Sequence, residues 1–82
     1  MKYRLIIKEN NCHKEYFYYD IRDALADALS YQEDDYYAQL YEFAHITLEE
    51  LNSDGYWSNW TDEEGNTLED YTLINGKPMC MV

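Results

Sequence analysis

Eighty-two residues with 46% apolar and 17% aromatic side chains are enough for one small domain with a single core, and too apolar for a disordered acidic tail. Six basic against 17 acidic residues leave a formal net charge of -11, which argues against binding DNA, RNA or anionic lipid through a basic face. No basic-led apolar segment of signal-peptide length opens the chain, and no run approaches the roughly 20 apolar residues of a membrane span, so the expectation is a cytoplasmic location.

Residues 2–8 alternate, with Tyr3, Leu5 and Ile7 on one face and Lys2, Arg4 and Lys8 on the other, which is the pattern of a strand. Asn10-Asn11 is turn chemistry, and the aromatic-rich run from His13 to Tyr19 completes an expected N-terminal hairpin. Asp20 suits the N-cap of a helix whose stripe is Ile21, Ala24, Leu25, Ala28 and Leu29. The stripe lapses over residues 32–35 and resumes at Tyr36, Tyr37, Leu40, Tyr41, Phe43 and Ala44, the pattern of a second helix capped by an aspartate or of one long helix that bends there, with two helices favoured. Thr47 with Glu50 reads as a capping box, and Ile46 with Leu51 as a hydrophobic staple, so a short helix is expected there, ending at Asp54-Gly55. His45 would then sit at the preceding helix end. Tyr56 to Thr61 and Thr67 to Ile74 read as extended arms of a hairpin around a loop at residues 62–66. Asn75-Gly76 is a two-residue hairpin signal joining Tyr71–Ile74 to Lys77–Met81, with Pro78 marking an edge. The expected class is α+β: an antiparallel sheet of about four or five strands, with two or three short helices on one face, in a single domain spanning residues 1–82.

Enzyme chemistry finds little support. Three glycines supply neither a phosphate loop nor a nucleophile elbow, so no nucleotide cofactor is expected. Cys12, His13, His45 and Cys80 lack the paired spacing of zinc ligands, and a calcium loop from Glu50 would place Thr61 where a bidentate Glu is required. No metal site and no catalytic residue is expected. The two cysteines read as free thiols of a reducing compartment.

Charge is distributed unevenly. Lys2, Arg4, Lys8, Lys14 and Arg22 crowd the first 22 residues, and the only later cation is Lys77. Between them stand Asp23, Asp27, Glu33, Asp34, Asp35, Glu42, Glu49, Glu50, Asp54, Asp62, Glu63, Glu64, Glu69 and Asp70, with no lysine or arginine interspersed. Uncompensated charge works against the compact state, so so long an acidic stretch suggests a surface kept for a positive partner. Tyr36, Tyr37, Tyr56, Trp57 and Trp60 lie within the same stretch, and aromatics with a polar handle are the residues that anchor interfaces. These carboxylates and aromatics together form the expected partner-binding set.

A short chain, an acidic stretch from Asp23 to Gly76, interleaved tyrosines and an α+β order resemble the small phage-encoded DNA mimics: anti-CRISPR proteins, antirestriction proteins and the uracil-DNA glycosylase inhibitor. The resemblance is one of composition, without a shared motif. It implies a stoichiometric inhibitor that occupies the basic nucleic-acid site of a DNA- or RNA-processing enzyme, such as a bacterial defence nuclease. The alternative is a small interaction or regulatory module whose contact is an aromatic patch around Tyr56, Trp57 and Trp60.

Overall fold

The alternation at the start of the chain becomes the central strand of a sheet. In the computed structural model, which describes residues 2–9, 12–33 and 45–82, β1 (Tyr3–Glu9) pairs antiparallel with β2 (Cys12–Tyr18) on one side and β3 (His45–Leu51) on the other. A short β4 (Trp57–Asn59) completes the order β2-β1-β3-β4, and β5 (Tyr71–Ile74) with β6 (Lys77–Cys80) forms a separate two-stranded sheet. One α-helix, α1 (Ile21–Glu33), is present among the described residues, together with a 3-10 turn at Leu68–Asp70. The class is α+β, with one α-helix among the described residues. The turn at Asn10-Asn11 and the second helix expected over 36–44 lie outside the described residues.

Period two decides which face of the sheet is covered. Tyr3, Leu5 and Ile7 of β1 stand opposite Glu50, Leu48 and Ile46 of β3, and Leu5, Ile7 and Leu48 are buried. Onto this face packs the stripe of α1, whose Ala24, Leu25, Ala28 and Leu29 are buried, with Trp60 and Leu68 closing the same core. Asp20 caps the helix as expected: its carboxylate accepts the Arg22 backbone N–H at 2.9 Å, and its carbonyl accepts that of Ala24 at 3.2 Å.

The expected helix at 47–51 is instead strand β3. Within it Ile46 and Leu48 alternate with Thr47 and Glu49, and β1 offers a complete ladder of partners, so the tertiary ladder overrides the local capping signal. His45 consequently opens a strand rather than closing a helix. Asp54-Gly55 serves the β3–β4 hairpin: the Gly55 N–H donates to the Asn52 carbonyl at 3.0 Å, with Gly55 at φ 90°. The expected pairing of 56–61 with 67–74 does not form either. Beyond β4 the chain folds back at 62–66, and the 3-10 turn sends Leu68 into the core, so that β5 leaves the main sheet and pairs with β6. The Asn75-Gly76 turn is present as expected, with φ of 53° and 77°, the two left-handed residues of a type I′ hairpin.

Because Leu5 is fully enclosed between the sheet and α1, its truncation to alanine removes packing that no neighbour replaces. Leu5→Ala is expected to cost about 2–5 kcal/mol in chemical denaturation, without changing the far-UV spectrum of the folded chain under native conditions.

Candidate functional site

The carboxylates of the acidic stretch divide by what they touch. On the sheet face away from α1, Arg4 donates from Nε to Glu49 at 2.9 Å and from a terminal nitrogen to the same oxygen, while its other terminal nitrogen lies 3.6 Å from Glu15. The side chains of Arg4 and Glu49 are 22% and 18% exposed, so this pair is much less screened than an open surface ion pair. Trp57 covers it. The Arg4 guanidinium sits 4.5 Å from the centre of the Trp57 ring, and Phe17 reaches across from the opposite edge strand to bring its ring 6.2 Å from that of Trp57. Glu50, on the inner face, has Lys2 at 3.6 Å. Glu49 and Glu50 are therefore compensated from within the chain.

Asp62 is also used internally. Its carboxylate accepts the backbone N–H groups of Glu64 (2.9 Å) and Asn66 (2.8 Å), the Asn66 side-chain amide (3.1 Å) and the Tyr71 hydroxyl (2.6 Å). This turns residues 62–66 into a closed loop and ties it to β5. The Tyr71 hydroxyl is the chief cause that holds the Asp62 carboxyl down at about 2, with the Asn66 and Glu64 donors adding to it and partial burial opposing it. The same bond pushes the Tyr71 hydroxyl up to about 12. Asp70 accepts the Thr67 N–H at 2.9 Å and so braces the 3-10 turn, and Asp54 accepts the Tyr56 N–H at 3.3 Å within the hairpin turn.

A smaller set faces outward. Asp23 and Asp27 lie off the apolar stripe of α1 and are exposed; Asp27 accepts the Tyr18 hydroxyl at 2.8 Å, and burial followed by that bond holds the Tyr18 hydroxyl well above the ordinary phenol range. Asp23, Glu63, Glu64 and Glu69 are exposed and have no cation within ion-pairing distance among the described residues. Arg22, adjacent to Asp23 in sequence, instead pairs with Asp20 at 3.2 Å. Glu33 ends α1, whereas Asp34, Asp35, Tyr36, Tyr37 and Glu42 lie outside the described residues.

The expected aromatic patch is split by the fold. Trp60 is only 7% exposed and packs edge-on against Tyr71, with ring centres 5.5 Å apart, so most of it belongs to the core. Tyr56 stands 72% exposed at the hairpin turn, and Trp57 is half-buried over Arg4. The aromatic partner that sequence reasoning missed is Phe17, 46% exposed and brought next to Trp57 by the strand order. Forty residues separate the two in sequence, so only the strand order reveals the pair.

Two cavities adjoin these groups. The larger, about 870 Å³, lies between the start of α1, the 61–63 segment and the β5–β6 hairpin, and its walls carry Lys2, Arg22 and Lys77 as well as Glu50, Asp62 and Glu63. The smaller, about 360 Å³, opens beside β3 past the end of β4. Among the described residues, Cys80 is a free thiol, no cluster of three metal-ligating side chains occurs and no helix is long and apolar enough to cross a membrane. Comparison of the chain with protein-family models, with curated proteins and with solved structures finds no match.

Two variants separate the roles of the neighbouring tryptophans. Trp60→Ala is expected to cost about 3–5 kcal/mol and Trp57→Ala about 1 kcal/mol, read from guanidinium unfolding midpoints. The Asp62 bonds set a pH dependence. A carboxyl whose folded value, about 2, lies below its ordinary 3.8 contributes stability that is present above 3.8 and is lost as pH falls through 2. Thermal melts between pH 7 and pH 2 should show this loss in the native chain, and Asp62→Asn should lower the melting temperature at pH 7 and flatten the acid limb; an unchanged acid limb refutes the assignment.

Proposed function

We propose that this chain is a non-catalytic acidic binding protein that occupies the basic nucleic-acid site of a DNA- or RNA-processing enzyme, of the kind represented by bacterial defence nucleases, and blocks it stoichiometrically. The observation that carries the reading is the division of the carboxylates. The chain has six lysines and arginines, and three of them, Lys2, Arg4 and Arg22, are drawn to Glu50, to Glu49 with Glu15, and to Asp20. Asp23, Glu63, Glu64 and Glu69 are left facing solvent. Outward negative charge without internal compensation raises the rate of encounter with a positive surface and repels nucleic acid itself.

A second reading rests on Phe17 and Trp57. Their rings form an exposed-to-half-buried aromatic pair on the sheet face that α1 leaves open, which suits an interaction module that grips by aromatic contact.

One assay separates the two. The protein is titrated into DNA cleavage by a purified RNA-guided nuclease, with binding followed at increasing salt and in competition with DNA. Reversal of Asp23, Glu63 and Glu64 to lysine is expected to weaken inhibition by about tenfold or more, and binding by the native chain should fall as salt screens the contacts. Inhibition insensitive to both the reversals and salt, but abolished by Phe17→Ala with Trp57→Ala, favours the second reading. Absence of any DNA-competitive binding across basic nucleic-acid enzymes refutes the first.

A further inference from the structure

The smaller cavity follows from a mismatch in strand length. β3 has seven residues and β4 only three, so among the described residues β3 has no edge partner beyond Asn59; the last link is the Trp60 N–H to the Leu48 carbonyl at 2.9 Å. Into this notch the end of α1 brings Gln32, and the 3-10 turn brings Thr67 and Glu69, while Leu68 from the same turn goes inward to the core. The result is a recess of about 360 Å³ with Trp60 and Leu48 at its apolar wall and Gln32, Asn59, Thr67 and Glu69 around it.

The charge of this lining is one-sided, with Glu69 its only ionised side chain. Among the described residues it carries two carboxamides and two hydroxyls, each able to donate or accept, and one carboxylate, while no lysine or arginine contributes, in contrast to the larger cavity, where three cations face three carboxylates. Glu69 is exposed and has no cationic partner among the described residues. A carboxylate or phosphate would meet Glu69 unfavourably, and a purely apolar group would leave the polar groups unpaired. A guanidinium, planar and permanently charged, pairs with Glu69 and can give its remaining donors to the amide and hydroxyl oxygens around it, and its methylene stem suits an indole. The volume falls at the lower end of the range of about 300–1,000 Å³ typical of ligand sites, which fits one long side chain.

We infer that this recess is a socket for a single arginine side chain presented by the basic partner, with Glu69 as its counter-ion. The inference deepens the function proposed above and rests on it for the partner, but the socket is testable without any partner.

The probe is N-acetyl-L-arginine amide, titrated at low salt into the isotope-labelled full chain and followed by amide NMR, with the N-acetylated citrulline amide as the uncharged isostere. Saturable shifts of the Gln32 and Asn59 side-chain amides and of the Trp60 indole are expected with the arginine probe and not with citrulline. Glu69→Gln should weaken the probe at least fivefold, and Gln32→Lys, on the exposed end of the helix, should abolish its shifts with amide dispersion otherwise preserved. The Asp23, Glu63 and Glu64 reversals should leave the shifts centred on the recess. Equal shifts with citrulline, an unaltered affinity in Glu69→Gln, or shifts centred on Asp23 or Glu63 overturn the socket. Failure of the nuclease assay with a positive probe result sinks the nuclease reading alone; undiminished nuclease inhibition by Glu69→Gln together with no probe binding sinks only the socket.

Discussion

The strict alternation of β1 is the constraint on which the other elements depend. Its odd-numbered residues, Tyr3, Leu5 and Ile7, meet α1, and its even-numbered Arg4 stands on the opposite face between Glu15 of β2 and Glu49 of β3. A one-residue slip would move the aliphatic side chains to solvent and carry a guanidinium into the core. Register is therefore specified twice, by hydrophobic burial on one face and by a charge pair on the other. The second face also solves a problem of cover. No helix shields Arg4 and Glu49 there among the described residues; the Trp57 ring from one edge strand lies over Arg4 instead, with Phe17 from the other edge strand beside it. An ion pair so covered gains from the lower local dielectric, and its charges remain matched.

Scarcity of cations organises the rest of the electrostatics. With six basic residues for 17 acidic ones, the fold cannot neutralise most carboxylates by ion pairing, and it uses other donors where a carboxylate lies close to backbone. Asp62, Asp70, Asp54 and Asp20 each accept backbone N–H groups, and Asp62 in addition accepts a phenol. Such bonds to an ionised acceptor favour the charged form without any cation, which is why a chain so acidic can keep ordered loops. What distinguishes Asp23, Glu63, Glu64 and Glu69 is the lack of any such internal role.

Local signals in the sequence were legible where the chain decides its own geometry. Asp20 ahead of an i, i+3, i+4 stripe and Asn75-Gly76 between two short extended runs each specify a structure within a few residues, and both are found. Thr47 and Glu50 carry an equally local signal for a helix, yet their segment lies against β1, whose Leu5 and Ile7 require apolar partners at Leu48 and Ile46. That requirement is non-local, and nothing near Thr47 announces it. Trp60 illustrates the same limit for the candidate site. In sequence it is indistinguishable from Trp57, since both follow a glycine turn and flank an extended run; the end of β4 places one over Arg4 and the other beneath the α1–β5 layer. Composition identified the acidic stretch, but which carboxylates face outward depends on Arg4, Lys2 and the 62–66 loop, and these contacts span up to 48 residues of sequence.

The abrupt end of β4 connects these threads. Had the strand continued along β3, Trp60 would have alternated onto a sheet face as an ordinary strand residue, and the notch beside Leu48 would be filled by backbone. Instead the chain turns at Asp62, whose four accepted hydrogen bonds fix the loop, and returns through the 3-10 turn, which buries Leu68 and leaves Glu69 outside. A carboxylate whose role is wholly internal thus determines where an outward carboxylate stands. The recess beside β3 is therefore a consequence of the same turn that separates the two sheets, and any change that loosens the Asp62 loop displaces Glu69 from the recess wall as well as loosening β5.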